Sequence, residues 1–222
     1  MEMTEVMDID RNKIAALVAA YEEEAEATGW YAPEIAFGLA YEHVKAGQTI
    51  LDVGIGTGLG SRLFREVGLR VHGMDIAQDM LDACRFKGIT DIVRHDLTIV
   101  PYPFPTESMD HAVCVGVLDF FSDLFTIIAE IGRILKKNGI FVFAVGDRGD
   151  DENAAYSVGP GYTKTGKWVT MYRHSNPQIK RWLAEAGFVC LRWLPFTVYM
   201  DREKTRPHPA VVYLAKKRGE GE

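Results

Sequence analysis

The chain has 222 residues, 47% hydrophobic and 25% charged, with 25 basic against 31 acidic side chains and a formal charge of −6. That composition excludes global disorder, and a net acidic chain without a long Lys/Arg run lacks the electrostatic footprint of a nucleic-acid or anionic-membrane binder. No apolar run approaches the ~18 residues of a membrane span, and residues 1–10 carry acids where a secretory leader carries Lys or Arg, so a cytoplasmic protein is expected.

Residues 8–27 place Ile14, Leu17, Val18 and Tyr21 at helical spacing, with Glu22, Glu23 and Glu24 on another side. Gly29-Trp30-Tyr31-Ala32-Pro33 breaks that helix, and Pro33 suits the first turn of a second one, running to about Lys45 and closed by Gly47. Residues 49–53, 69–74 and 91–94 then read as short strands, and 110–118 and 139–145 as longer ones covered on both faces. Helical candidates at 59–67, 78–86 and 121–137 fill the gaps. Strand and helix in turn imply a doubly wound, mostly parallel α/β sheet.

The pattern fails over residues 146–172, rich in Gly, Asp, Tyr and Lys, which reads as an irregular insertion of the kind that commonly carries function. Ser175 stands three residues before Gln178, with Pro177 between, a capping-box signature for a helix over 176–186. Runs at 188–198 and 209–215 read as a terminal antiparallel strand pair, and 216–222 as a frayed tail. The cysteines, Cys84, Cys114 and Cys190, are three in number and far apart, which indicates reduced thiols rather than disulfides or a zinc site. No metal site is expected.

The stretch Leu51-Asp52-Val53-Gly54-Ile55-Gly56-Thr57-Gly58 puts glycines at alternate positions directly after a buried strand. A strand-to-helix turn of that kind permits positive φ and lets a ligand approach bare backbone. Asp75, twenty-one residues beyond Gly54, ends the second strand, where a carboxylate can accept both ribose hydroxyls of an adenosine. A dinucleotide loop requires glycine at 59, where this chain has Leu59. Asp52, just ahead of the loop, opposes a pyrophosphate and attracts a cation, which favours a zwitterionic or sulfonium ligand.

These residues resemble the class I S-adenosylmethionine-dependent methyltransferases. The loop is similar to that family's first motif and Gly73-Met74-Asp75-Ile76 with Met80-Leu81 to its second. The likeness continues through Arg94-His95-Asp96-Leu97, Ser108-Met109-Asp110-His111-Ala112-Val113, the segment 132–139, and Leu183-Ala184-Glu185-Ala186-Gly187-Phe188. It implies a seven-stranded Rossmann-like methyltransferase fold over 47–215, an N-terminal helical lid over 1–46 and an acceptor-side insertion at 146–175. It further implies that Asp52, Gly54, Gly56 and Gly58 surround the methionine moiety and that Asp75 with Ile76 meets the ribose. Asp96 and Leu97 would flank the adenine, and Val115 and Gly116 would floor the sulfonium. Ala77 departs from the family, which often has a capping Ser there.

Methyl transfer from a sulfonium chiefly needs alignment and exclusion of water. Where a base is used, the candidates are Asp119, His174 and Tyr156, with His111 read as structural; Asp119 reads equally as a cap for the helix from Phe121. Trp30 and Tyr31 lie where a family lid closes over the cofactor, and a π face suits a sulfonium. Trp30, Asp119, Tyr156 and His174 are the expected acceptor contacts, alongside the insertion aromatics Tyr162 and Trp168. The expected activity is methyl transfer from S-adenosyl-L-methionine, giving S-adenosyl-L-homocysteine, to a small-molecule acceptor, with no nucleic-acid or membrane partner and a homodimer left open. The alternatives are a non-catalytic cofactor-binding regulatory protein and a nicotinamide-dependent oxidoreductase.

Overall fold

The structure is a computed structural model that describes residues 11–149, 153–159 and 168–219. Its centre is strand β1 (Thr49–Val53), all five residues of which are buried. Parallel neighbours flank it, β2 (Arg70–Asp75) on one side and β4 (Met109–Cys114) on the other, and β3 (Ile92–Arg94) lies beyond β2. Strand β5 (Leu135–Asp147) follows β4 in parallel; β9 (Pro207–Lys217) runs antiparallel to β5, and β8 (Phe188–Tyr199) antiparallel to β9. The order β3-β2-β1-β4-β5-β9-β8 is the expected seven-stranded sheet with β9 alone reversed.

Side-chain alternation decides which helices cover which face. Leu51, Val53, Phe141 and Phe143 join Ile127, Ile128 and Ile131 of α5 (Phe125–Ile134) and Ile179 and Leu183 of α6 (Asn176–Glu185) in one cluster. Ile50, Ile140 and Val142 face the other way, toward Ala32 and Ala36 of α2 (Ala32–Ala40), Phe64 of α3 (Arg62–Glu66) and Leu81 of α4 (Gln78–Phe86). Burial on both faces is why these strands read as continuous apolar runs. A polar staple at the N-terminal edge fixes the register of β1 against β4: Asp110 Oδ2 accepts both the N–H and the hydroxyl of Thr49 at 2.8 Å, and Oδ1 accepts from Lys136 at 2.8 Å. Burial opposes ionisation of Asp110, but these donors outweigh it and bring its pKa down to about 2.

Helix α1 (Arg11–Ala27) is attached differently. Ile14 and Val18 form a small buried cluster with Ala83 of α4. Ion pairs supplement it: Glu22 meets Lys87 at 2.6 Å, and Arg202, in the turn between β8 and β9, meets Glu23 at 2.8 Å and Glu24 at 2.6 Å. The Tyr199 N–H donates to the Thr28 carbonyl at 2.9 Å.

The structure corrects several boundaries. β4 stops at Cys114 rather than 118, because Gly116 turns the chain at φ +78° into a short 3-10 turn, Leu118–Phe120. α5 begins at Phe125, whose N–H donates to Asp123 Oδ1 at 2.8 Å, so Asp123 and not Asp119 serves the helix start. The insertion holds regular structure: β6 (Ala155–Val158) pairs antiparallel with β7 (Val169–His174), and β7 extends the sheet in parallel at Gly146 and Asp147 of β5. Both strands are short and half-buried without clean alternation, which hid them from a period-two reading. β9 runs through Lys217, whose Nζ donates to the Leu135 carbonyl at 2.6 Å, so the chain is held beyond residue 215. Ser175 is the N-cap of α6, with the Gln178 N–H donating to its Oγ at 3.4 Å. Tyr162 and residues 220–222 lie outside the described residues.

Candidate functional site

The chain leaves β1 through three glycines in the left-handed region, Gly54 at φ +72°, Gly56 at +54° and Gly58 at +82°. They serve different ends. A Cβ on Gly54 would run into Val117, and one on Gly58 would come within 2.7 Å of Ile89 Cδ1, so both permit close packing. At Gly56 a Cβ would meet nothing within 4 Å and would stand in open space. The turn is tied to β2, since Met74 O accepts the N–H groups of Gly54 and Ile55 at 2.8 and 3.0 Å. Asp75 completes the tie, accepting the Gly56 N–H at 2.8 Å on one oxygen and the Ala77 N–H at 2.9 Å on the other.

That open space belongs to a cavity of about 570 Å³ at the C-terminal ends of β1, β2, β3 and β4. Its size lies within the ~300–1,000 Å³ of small-molecule sites. Of the residues singled out from sequence, Trp30, Gly54, Gly56, Asp75, Ile76, Asp96, Leu97, Val115 and Gly116 line it. Trp30 packs on the bare backbone of Gly116, where an added Cβ would be 3.5 Å from Cζ2, and its ring lies 6.0 Å from that of Phe196. Asp96 is held by Thr98, whose N–H and hydroxyl donate to Oδ1 at 2.9 and 2.8 Å and keep the carboxyl below its usual pKa.

Gly58, Tyr31 and Asp52 do not line the cavity. Gly58 is taken up in packing and Tyr31 is exposed. Asp52 is 1% exposed and lies behind Gly60, a wall residue whose added Cβ would sit 3.4 Å from Asp52 Oδ2. That oxygen has no hydrogen-bond partner among the described residues. Burial, opposed by Ser61 and reinforced by the charge of Asp75, pushes the Asp52 pKa up to about 7. A buried acid without a full set of donors, one glycine away from a cavity, suits a ligand with a cationic group there.

The sequence reading missed Tyr21, Phe120 and Phe121, which also line the cavity. Tyr21 looked like an apolar contact of α1, and it lines the cavity. Desolvation first, then the charges of Asp75 and Asp52, raise its pKa, although the residue as a whole is 40% exposed. The base candidates are not brought in. Asp119 accepts the Gly146 N–H at 2.7 Å, and burial, opposed by that bond and by Arg173, puts its pKa at about 6. His174 is 1% exposed against the edge of Trp182, and burial lowers its pKa to about 4. Tyr156 and Trp168 line a separate cavity. His111 bonds Gln48 at 3.0 Å within the sheet. Among the described residues no cluster of His, Cys, Asp or Glu could hold a metal ion, and no helix is long and apolar enough to cross a membrane.

A sheet of this order, with a glycine turn after its first strand and an acid ending its second around one cavity, defines the class I S-adenosylmethionine-dependent methyltransferase fold. Residues 51–143 match the family described as "Methyltransferase domain". It is 36% identical over 100 residues to a malonyl-[acyl-carrier protein] O-methyltransferase of Serratia marcescens, covering 44% of this chain and 38% of that protein. A demethylmenaquinone methyltransferase of Tropheryma whipplei is 36% identical over 104 residues, covering 45% of this chain and 42% of its own length. The matched segment thus spans about two fifths of these curated relatives. A solved S-adenosylmethionine-dependent methyltransferase from Methanosarcina mazei superposes with a TM-score of 0.69 at 16% identity, covering 82% of this chain and 98% of its own.

Proposed function

We propose that this protein binds S-adenosyl-L-methionine in the 570 Å³ cavity and catalyses transfer of its methyl group to a small-molecule acceptor, releasing S-adenosyl-L-homocysteine. The observation that carries the reading is the convergence of Gly54, Gly56, Asp75, Asp96, Val115 and Gly116 on one cavity wall. Two relatives are named for a malonyl-[acyl-carrier protein] and for a demethylmenaquinone, which supports a small acceptor group.

The bound sulfonium supplies an electrophilic methyl group with a neutral thioether as leaving group. Asp75 keeps lone pairs beyond its bonds to Gly56 and Ala77 for the ribose hydroxyls, and Asp96 Oδ2 is available to the adenine amino group. Gly56 leaves room for the methionine portion, and a cationic group near Gly60 would favour the ionised form of Asp52 behind it. Trp30 over Gly116 offers an aromatic face to the positive sulfur and excludes water.

Calorimetry with S-adenosylmethionine, S-adenosylhomocysteine and NAD tests the reading. Binding of the first two and not the third is expected, and preference for NAD would replace it with the oxidoreductase. Methyl release over an acceptor panel separates an enzyme from a regulatory binder.

A further inference from the structure

Three buried side-chain oxygens in and just after the glycine turn have no hydrogen-bond partner among the described residues: Asp52 Oδ2, Thr57 Oγ1 and Ser61 Oγ, each on a residue 1% exposed. Buried polar atoms are normally paired, so an unpaired group of them beside a cavity calls for a ligand. Thr57 and Gly60 line the cofactor cavity. Asp52 lies directly behind Gly60, where an added Cβ would stand 3.4 Å from Oδ2 and 3.5 Å from Oδ1. Gly60 thus puts bare backbone, with Val115 beside it, between the carboxylate and the ligand space.

Alternation along β1 turns Asp52 to the same face as Ile50, beneath α2, α3 and α4. The groups that act on it supply no positive charge. Asp75 of β2 adds a second negative one, and Ser61 alone supports the ionised form. Tyr21 of α1, Cys84 of α4 and Cys114 of β4 complete the titratable surroundings; burial first, then the acids, raises the pKa of each, so all three stay neutral. Glu34 of α2 and Arg62 of α3 pair with each other at 3.1 Å in solvent. A carboxylate withdrawn from water beside another carboxylate, with one oxygen lacking a donor, keeps a proton toward neutral pH.

We propose that cofactor binding drives a proton off Asp52, the α-ammonium of the methionine moiety replacing that proton as countercharge. The inference rests on the methyltransferase reading and adds a pH control to it. Asp52 gives its proton to solvent while the ammonium keeps its own, so the ammonium and the new carboxylate form a neutral pair. Thr57 Oγ1 offers the ammonium a further acceptor. The bound protein then holds fewer protons than the free one. Affinity therefore rises with pH until free Asp52 is ionised, at about pH 7, and falls as pH drops below that value. Acidification through this range releases cofactor and product alike, since both carry the ammonium.

The test is calorimetry of S-adenosylhomocysteine binding at about pH 6 and about pH 7.5, in buffers of different ionisation enthalpy, which counts the protons exchanged. The natural protein should release most of one proton at the lower pH and less at the higher, and should bind about threefold or more weakly at the lower. Asp52→Asn keeps the shape and cannot titrate, so it should lack both effects, and comparison with it cancels the titration of the ligand and of every other group. 5′-Methylthioadenosine, an adenosine thioether without the amino acid, should bind the natural protein without that release; should Asp52→Asn fail to fold, the contrast between the two thioethers decides. If neither S-adenosylmethionine nor S-adenosylhomocysteine binds, the methyltransferase reading itself falls. The proton inference alone is overturned if S-adenosylhomocysteine binds without proton release below pH 7, or if Asp52→Asn or methylthioadenosine gives the same release. Release with S-adenosylmethionine but not with S-adenosylhomocysteine would assign the effect to the sulfonium and overturn it too.

Discussion

Gly56→Ala separates the fold from the site. The added Cβ meets no protein atom within 4 Å, so the substitution creates no clash, and its structural cost is that of holding alanine at φ +54°. A non-glycine residue in the left-handed region costs about 1–2 kcal/mol. At about 2–4 °C per kcal/mol for a chain of this size, the melting temperature should fall by roughly 2–8 °C. The methyl group stands in the cavity, where it displaces part of a ligand that lies against the backbone, so S-adenosylhomocysteine affinity should fall by about 1–3 kcal/mol, the range for overpacking a filled site. Gly54→Ala is the contrast: its Cβ collides with Val117, and loss of stability should dominate. Thermal melts and calorimetry on both variants decide the matter. A folded Gly56→Ala protein with the natural affinity would show that the glycine turn does not contact the ligand.

Asp75→Ala removes the acceptor of two backbone N–H groups as well as the expected ribose contact, so S-adenosylmethionine binding should weaken by about 1.5–3 kcal/mol by calorimetry; unchanged affinity would remove Asp75 from the site. Asp52 has a folded pKa of about 7 against 3.8 unfolded, so between those values the unfolded chain holds fewer protons and stability falls as pH rises from about 4 to 7. Asp52→Asn should therefore melt higher than the natural protein at pH 8, by an amount on the order of a few kcal/mol at most, with the gain shrinking toward pH 4–5. A pH-independent difference in melting temperature between the two would refute the burial argument. Ser175→Ala should cost about 0.5–1 kcal/mol in a denaturant titration, the low end for an N-cap, because its bond to Gln178 is long at 3.4 Å.

The sheet was legible because strands buried on both faces leave an apolar run that no solvent-facing position interrupts, as at residues 49–53. Gln78–Phe86 and the Ser175 cap were equally plain, since periodicity and capping are local chemistry. The glycine turn and Asp75 could be read because backbone approach and a strand-end carboxylate each constrain residue type at one position. Tyr21 could not, because a tyrosine on an apolar helix face looks the same whether its hydroxyl ends in water or near two carboxylates. Asp119 and His174 misled for the opposite reason. Their positions near strand ends suggested ligand contact, while the adjoining backbone at Gly146 and the ring of Trp182 enclose them. Such contacts join distant parts of the chain and leave no periodic trace.

The ion pairs of Arg202 with Glu23 and Glu24 join residues 179 and 178 positions apart, and the Tyr199–Thr28 backbone bond spans a similar distance. During synthesis from the N-terminus, α1 therefore emerges long before the hairpin that anchors it. Contacts of such separation are expensive to close and form late. Helix α1 is thus the earliest described element made and among the last to be docked, so a nascent chain arrested before β8 should leave α1 open to proteolysis even with β1 to β5 paired. Early protection of α1 in such a chain would show that its contact with α4 is enough to hold it.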